Sequence, residues 1–178
     1  IYQANDYKGH LWSFHGFVDA YALYYNKNHF REVGLDPDAP PLDIATLDAY
    51  TEKLTKLNNS GQIDRMGFLP DDLWHWADVF GGSWLDGDKI TASHPGNIAA
   101  ADWFADYSRK YDVRKIVAFD SSLATERSQA LDPFISGKFA MQRMGQWKIL
   151  DIDRYAADDF DYGVVPLPAP PGGRQNSM

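Results

Sequence analysis

Two apolar patterns alternate along the chain: short, nearly continuous apolar runs, and longer segments where apolar residues recur every three or four positions. The first is what a strand buried on both faces requires, and the second is one face of an amphipathic helix. Residues 10–14 and 18–25 are β-prone runs separated by His15, Gly16 and Phe17, and the second run carries one charge, Asp19. Residues 26–33 predict a short helix that Gly34 stops, followed by a loop marked by Pro37, Pro40 and Pro41. Asp43 is placed to cap a helix with Leu47, Tyr50, Leu54 and Leu57 along one side, ended by Asn58, Asn59, Ser60 and Gly61.

Residues 66–69 predict a short strand. Pro70, Asp71 and Asp72 then open a helix containing Leu73, Trp74, Trp76, Val79 and Phe80, which Gly81 and Gly82 close. A turn at 86–88 precedes a small strand over 89–92. A long helix over 96–111 follows, with Ala100, Trp103, Phe104, Tyr107 and Tyr111 on one side. A further helix is predicted over 121–131, and Asp132 and Pro133 restart the chain as a turn of helix. A strand over 139–144, a helix from Trp147 to Asp153 and a last strand over 162–167 complete the pattern. Strands alternating with helices predict an α/β domain, and no internal repeat is visible.

At 178 residues the chain has room for one well-buried domain but not comfortably for two. Six Trp and ten Tyr exceed what a core of this size needs, so some ring surface is expected to bind a ligand; a rigid aromatic core is the plain alternative. The net charge of −8, with Lys and Arg scattered, leaves no basic stripe for nucleic acid and disfavours anionic lipid. Without Cys, this chain has no disulfide, thiolate zinc site or Cys nucleophile. No apolar run approaches the roughly 18 residues of a membrane span. No signal-peptide pattern is present and both ends read as truncated, so an exported protein is expected here in mature, trimmed or shortened form.

The five His, at 10, 15, 29, 75 and 94, lack any metal-ligand spacing and read as solvated or singly bonded. No nucleophile elbow occurs, and Gly81-Gly82 lacks the Lys and Ser/Thr that follow in a phosphate loop. Asp71 and Asp72 beside Trp74, His75 and Trp76 are a mixture also found in glycosidase clefts, which makes a fragment of a carbohydrate-active hydrolase the alternative reading. Adjacent residues at a helix start point in different directions, however, and capping accounts for at least one of the two.

Sugar binding without chemistry fits these residues better. A sugar ring has an apolar C–H face that aromatic rings can bury and hydroxyl edges that carboxylates can hydrogen-bond. Asp19, Asp71, Asp72, Trp74, His75, Trp76 and Trp147 supply both kinds of group. Trp76, at helical spacing with Phe80, serves equally well as core. Trp147, at a strand-to-helix corner, is less well explained by packing. Asp19 is costly to bury unpaired, so it is expected to be bonded or to face a cleft.

The order of these segments resembles the extracellular solute-binding proteins of ABC importers, of the carbohydrate-uptake type that includes maltose- and oligosaccharide-binding proteins. The matching pieces are Tyr7-Lys8-Gly9-His10-Leu11-Trp12, Val18-Asp19-Ala20 through Tyr25-Asn26-Lys27, and Gly34-Leu35-Asp36-Pro37. Later come Phe80-Gly81-Gly82, Phe134-Ile135-Ser136-Gly137-Lys138-Phe139, Gly145-Gln146-Trp147 and Asp161-Tyr162-Gly163-Val164-Val165-Pro166. Ile44 stands where the family often has Trp.

The resemblance implies the C-terminal lobe of a two-lobed periplasmic-binding-protein (type II) fold, an α/β architecture with a mixed sheet flanked by helices. Residues 1–178 would form that lobe, with 1–18 approaching the first interlobe crossover and 168–178 the second. The N-terminal lobe and the segments after the second crossover would be missing, and with them half the cleft. No enzyme activity and no cofactor are implied. The implied ligand is a sugar or oligosaccharide, the partner is the membrane permease of the importer, and the location is periplasmic or lipid-anchored at the cell surface. By the same resemblance Asp19 faces the ligand, Trp147 is the stacking platform and residues 71–76 supply further contacts. Hinge closure over the ligand would need both lobes, so weak binding or none is expected from one alone.

Overall fold

The computed structural model describes residues 5–14, 16, 18–123 and 132–175; expectations for His15, Phe17 and the helix beyond residue 123 lie outside these. The chain enters through a hairpin, β1 (Asp6–Tyr7) paired with β2 (His10–Leu11) around Lys8 and Gly9, both at positive φ. A two-residue turn of that kind matches the right-handed twist of its flanking strands. Of the run over 10–14 only His10 and Leu11 are strand, and they are exposed.

The next run forms β3 (Tyr21–Asn26), later in the chain than its apolar pattern predicts. Leu23 and Tyr25 face one apolar cluster while Tyr24 faces another, which is the two-sided burial the continuous run requires. Asn26 caps α1 (Lys27–Glu32) by accepting from the His29 N–H at 3.1 Å, and Gly34 at φ 74° follows it. Asp43 caps α2 (Ile44–Leu54) through the Thr46 N–H at 2.8 Å. That helix stops at Leu54, so Leu57 is not on its face; it belongs instead to the exposed strand β4 (Lys56–Leu57), paired with β5 (Ile63–Arg65), whose Ile63 and Arg65 are buried.

Helix α3 (Leu73–Val79) is followed by the hairpin β6 (Leu85–Asp86) and β7 (Lys89–Ile90), then α4 (Pro95–Tyr111). Gly82 and Gly96 meet where the start of α4 crosses the end of α3, and a Cβ on either would overlap the other chain segment. This close approach gives the Phe80-Gly81-Gly82 motif a packing reason. Helix α5 (Val113–Leu123) begins eight residues earlier than the periodicity predicts, because Asp112, at φ 60°, breaks the path after α4 and starts a new helix at once.

At Pro133 the chain makes the expected single turn of helix, capped by the Asp132 carboxylate and closed by the Ser136 N–H donating to the Asp132 carbonyl at 2.8 Å, and enters β8 (Met141–Gly145), then α6 (Lys148–Tyr155) and β9 (Tyr162–Val165). The central sheet has the order β8-β3-β9, all antiparallel. Met66 and Gly67 add a parallel edge beside β8: the Met66 N–H donates to the Lys138 carbonyl at 2.9 Å, and the Ala140 N–H donates to the Met66 carbonyl at 3.0 Å. The strand predicted over 66–69 is reduced to this bridge, which makes the sheet mixed. Helices α3 and α4 pack over one face through Phe68, Trp76, Trp103 and Tyr107.

Candidate functional site

Because β3 and β8 run antiparallel with Tyr21 opposite Gly145, the start of one and the end of the other emerge at the same edge of the sheet. Gln146 clamps this edge. Its backbone N–H donates to the Ala20 carbonyl at 3.1 Å, its side-chain oxygen accepts from the Ala20 N–H at 2.7 Å, and its side-chain nitrogen donates to the Val18 carbonyl at 3.1 Å. The segment carrying Asp19 is thereby held against the strand-to-helix corner. Asp19 itself stands ahead of the strand, half-buried, and has no hydrogen bond or ion pair among the described residues.

Trp147 is the N-cap residue of α6 and its side chain makes no capping bond. The indole lies across the place that a Cβ on residue 145 would occupy, so Gly145 is what lets it fold back along the sheet edge. Tyr21 packs edge-on against it with ring centroids 5.5 Å apart and planes at 87°. The ring remains 44% exposed. An indole held in one orientation yet open to solvent is a ready platform for the apolar face of a ligand.

Arg143 lies two residues before Gly145 on β8 and so projects to the same face. Its Nε and Nη2 donate to the two carboxylate oxygens of Asp71, each at 2.9 Å, and Nη2 stands 3.6 Å from Asp72 Oδ2. Its guanidinium also sits 4.4 Å from the Tyr21 ring centre. Asp72, at φ 53°, caps α3 through the Trp74 N–H at 3.2 Å and meets His75 Nδ1 at 2.6 Å. Burial raises the Asp72 carboxyl pKa, but the His75 bond and the charges of His75 and Arg143 outweigh it and hold the group below the usual carboxylate range. The His75 ring rests against Tyr21 with centroids 5.2 Å apart.

Asp71, Asp72, His75 and Trp147 are thus gathered around Tyr21 and Arg143, neither of which the sequence reading singled out. The available signal was Arg143 itself, a cation inside an apolar strand pattern, where burial requires a partner. Trp76 does not belong to the site. It is 0% exposed, packed between Phe68 at 5.7 Å and Trp103 at 4.9 Å, and serves the core. Trp74, 61% exposed, stacks on Trp84 with centroids 4.7 Å apart and planes at 5°, a pair that sequence reasoning also missed. Asp71 and Asp72 lie side by side on one guanidinium instead of facing each other across a gap. That geometry differs from glycoside hydrolysis, where the two carboxyl groups flank the scissile bond.

The face thus offers an aromatic shelf and hydrogen-bond acceptors on a mixed α/β scaffold, the make-up of a binding module for a small polar solute. The chain belongs to the bacterial extracellular solute-binding protein family, whose model matches residues 2–176. It is 25% identical over 186 residues to the sn-glycerol-3-phosphate-binding periplasmic protein UgpB of Salmonella paratyphi A, covering 99% of this chain and 41% of that protein. Against UgpB of Escherichia coli K12 the identity is 25% over 176 residues, covering 94% and 38%. The chain therefore spans about two-fifths of the length of these curated relatives. Among solved structures it is 36% identical to CpMnBP1 with mannobiose bound, at a TM-score of 0.83, covering 97% of this chain and 44% of that one. Maltose-bound MalE3 of T. maritima, 23% identical with a TM-score of 0.67, shares the fold over 97% of this chain and 44% of that one.

Proposed function

We propose that the chain is the C-terminal lobe of the extracytoplasmic solute-binding component of an ABC importer, and that it binds a sugar or oligosaccharide without acting on it chemically. The observation that carries this reading is the Trp147 indole, set by Gly145 and Tyr21 and open to solvent at an edge lined with carboxylates. The C–H face of a sugar loses water against the indole, while its hydroxyls donate to Asp19 and to the unoccupied lone pairs of Asp71. A second lobe supplies the opposite wall, residues 1–18 and 168–178 lead towards it, and closure follows because the ligand contacts both walls only in the closed state. A membrane permease would then read the closed form. The periplasmic relatives support a location outside the cytoplasmic membrane, and CpMnBP1, seen with mannobiose and with mannotriose, makes manno-oligosaccharides the first ligands to try.

The test is titration calorimetry on the protein carrying both lobes, with mannobiose, mannotriose and maltose, repeated for Trp147→Ala. Saturable binding of one saccharide, weakened about thirtyfold in the variant as for loss of a central aromatic anchor, is the expected result. Absence of binding to every saccharide would remove the carbohydrate assignment and leave only the family.

A further inference from the structure

The relatives divide by ligand chemistry: some carry a neutral saccharide, others are named for a phosphate ester. From the arrangement around Arg143 we infer that Asp71 is a specificity-determining residue, and that it makes this lobe select uncharged saccharides against phosphorylated solutes. The inference rests on the sugar-binding reading above and refines it.

Arg143 is the natural anion receptor of this edge, since its guanidinium lies on Tyr21 two residues from Gly145. Its two outward donors are already committed to a bidentate pair with Asp71, and the same Nη2 is 3.6 Å from Asp72. The remaining nitrogen, Nη1, is buried, and the whole side chain is 6% exposed. No donor of Arg143 is therefore presented to a ligand. What the surface shows instead is the other half of the pair, Asp71, whose side chain is 52% exposed.

A sugar hydroxyl and a phosphate meet that surface differently. The hydroxyl can donate to a carboxylate oxygen that already accepts one bond from Arg143, because each oxygen has two lone pairs. A phosphate monoester at neutral pH carries a charge of about −1.5 to −2, has mostly lost the proton it could donate, and meets Asp71 and Asp72 as like charges. Asp19 adds a third carboxylate at the same edge, held there by Gln146.

The other positive groups nearby do not reverse this. Lys148 Nζ is paired with Asp132 at 2.7 Å and Asp151 at 3.1 Å and is largely buried. Arg154 shares a groove with Trp147, but Asp151 and Asp153 line the same groove. The backbone N–H of Trp74 at the start of α3, where an anion could otherwise approach, already donates to Asp72.

Calorimetry on the protein carrying both lobes, with mannobiose and sn-glycerol 3-phosphate as paired probes, tests the inference directly. The wild type is expected to bind mannobiose and to show no saturable heat with sn-glycerol 3-phosphate. Asp71→Asn, which removes the competing charge and loosens the bidentate pair, is expected to improve phosphate-ester binding by roughly tenfold or more relative to mannobiose. A melting curve of the variant establishes that it is folded, and the wild-type comparison stands whether or not it is. Wild-type binding of sn-glycerol 3-phosphate in preference to mannobiose would overturn the inference while leaving the solute-binding role intact. Binding of neither probe nor any neutral saccharide would instead sink the sugar reading, and this inference with it. A folded Asp71→Asn variant with unchanged discrimination would show that Asp71 is not the discriminating residue.

Discussion

Replacing Gly145 by Ala separates the position of the Trp147 ring from its chemistry, because the indole stays in the protein and only its resting place is filled. A Cβ at residue 145 would overlap the Cζ3–Cη2 edge of the Trp147 six-membered ring, so the ring must leave its place against Tyr21. The backbone itself resists little: Gly145 is not among the residues at positive φ, and it sits in a strand opposite Tyr21. Two small stability terms then oppose each other. Loss of the edge-on contact with Tyr21 costs about 0.5–1.5 kcal/mol. Restricting the unfolded chain by exchanging Gly for Ala returns roughly 0.4–1 kcal/mol. The melting temperature is therefore expected to move by only a few degrees, while saccharide affinity falls about tenfold or more as the shelf is lost. Calorimetric titration with mannobiose beside a thermal melt reads both quantities, with Trp147→Ala as the reference for complete loss. If Gly145→Ala binds like wild type while Trp147→Ala does not, the ring's position against Tyr21 is irrelevant to binding and the shelf argument fails.

Trp76→Ala probes the opposite assignment: this ring is wholly buried against Phe68 and Trp103, so truncation is expected to destabilise the fold by about 3–5 kcal/mol in denaturant melts. A loss below about 1 kcal/mol would contradict its place in the core. His29 is held neutral by burial first and by the charges of Arg65 and Lys56 second, with its pKa lowered from 6.5 to about 4. The unfolded chain takes up that proton first, so stability is expected to fall as pH drops from about 6.5 to about 4. Denaturant midpoints across that window should be flatter for His29→Gln; an unchanged slope would show that another group carries the dependence.

Features whose energetics are settled within a few residues were legible in the sequence. Asp43 and Asp72 cap the helices that follow them, Gly81 turns the chain at φ 75°, and the buried side of α4 runs through Ala100, Trp103 and Tyr107 as its spacing requires. Capping and periodicity depend on hydrogen bonds and faces local to one or two helical turns, so the order of residues carries them. The start of α5 escaped because its break is a single left-handed Asp112 with no Gly or Pro to mark it. Among the three Trp assigned to the site, only the position of other elements could sort them. Trp76 is core because α4 brings Trp103 against it, Trp74 stays exposed although it stacks on Trp84, and Trp147 is a shelf because Gly145 and Tyr21 leave and bound its space. Arg143 reaches Asp71 across 72 residues, and Gln146 reaches Ala20 across 126. Such pairings are decided when the strands align, because a side chain's partner is set by register and packing, whereas its own sequence neighbours fix only which way it points.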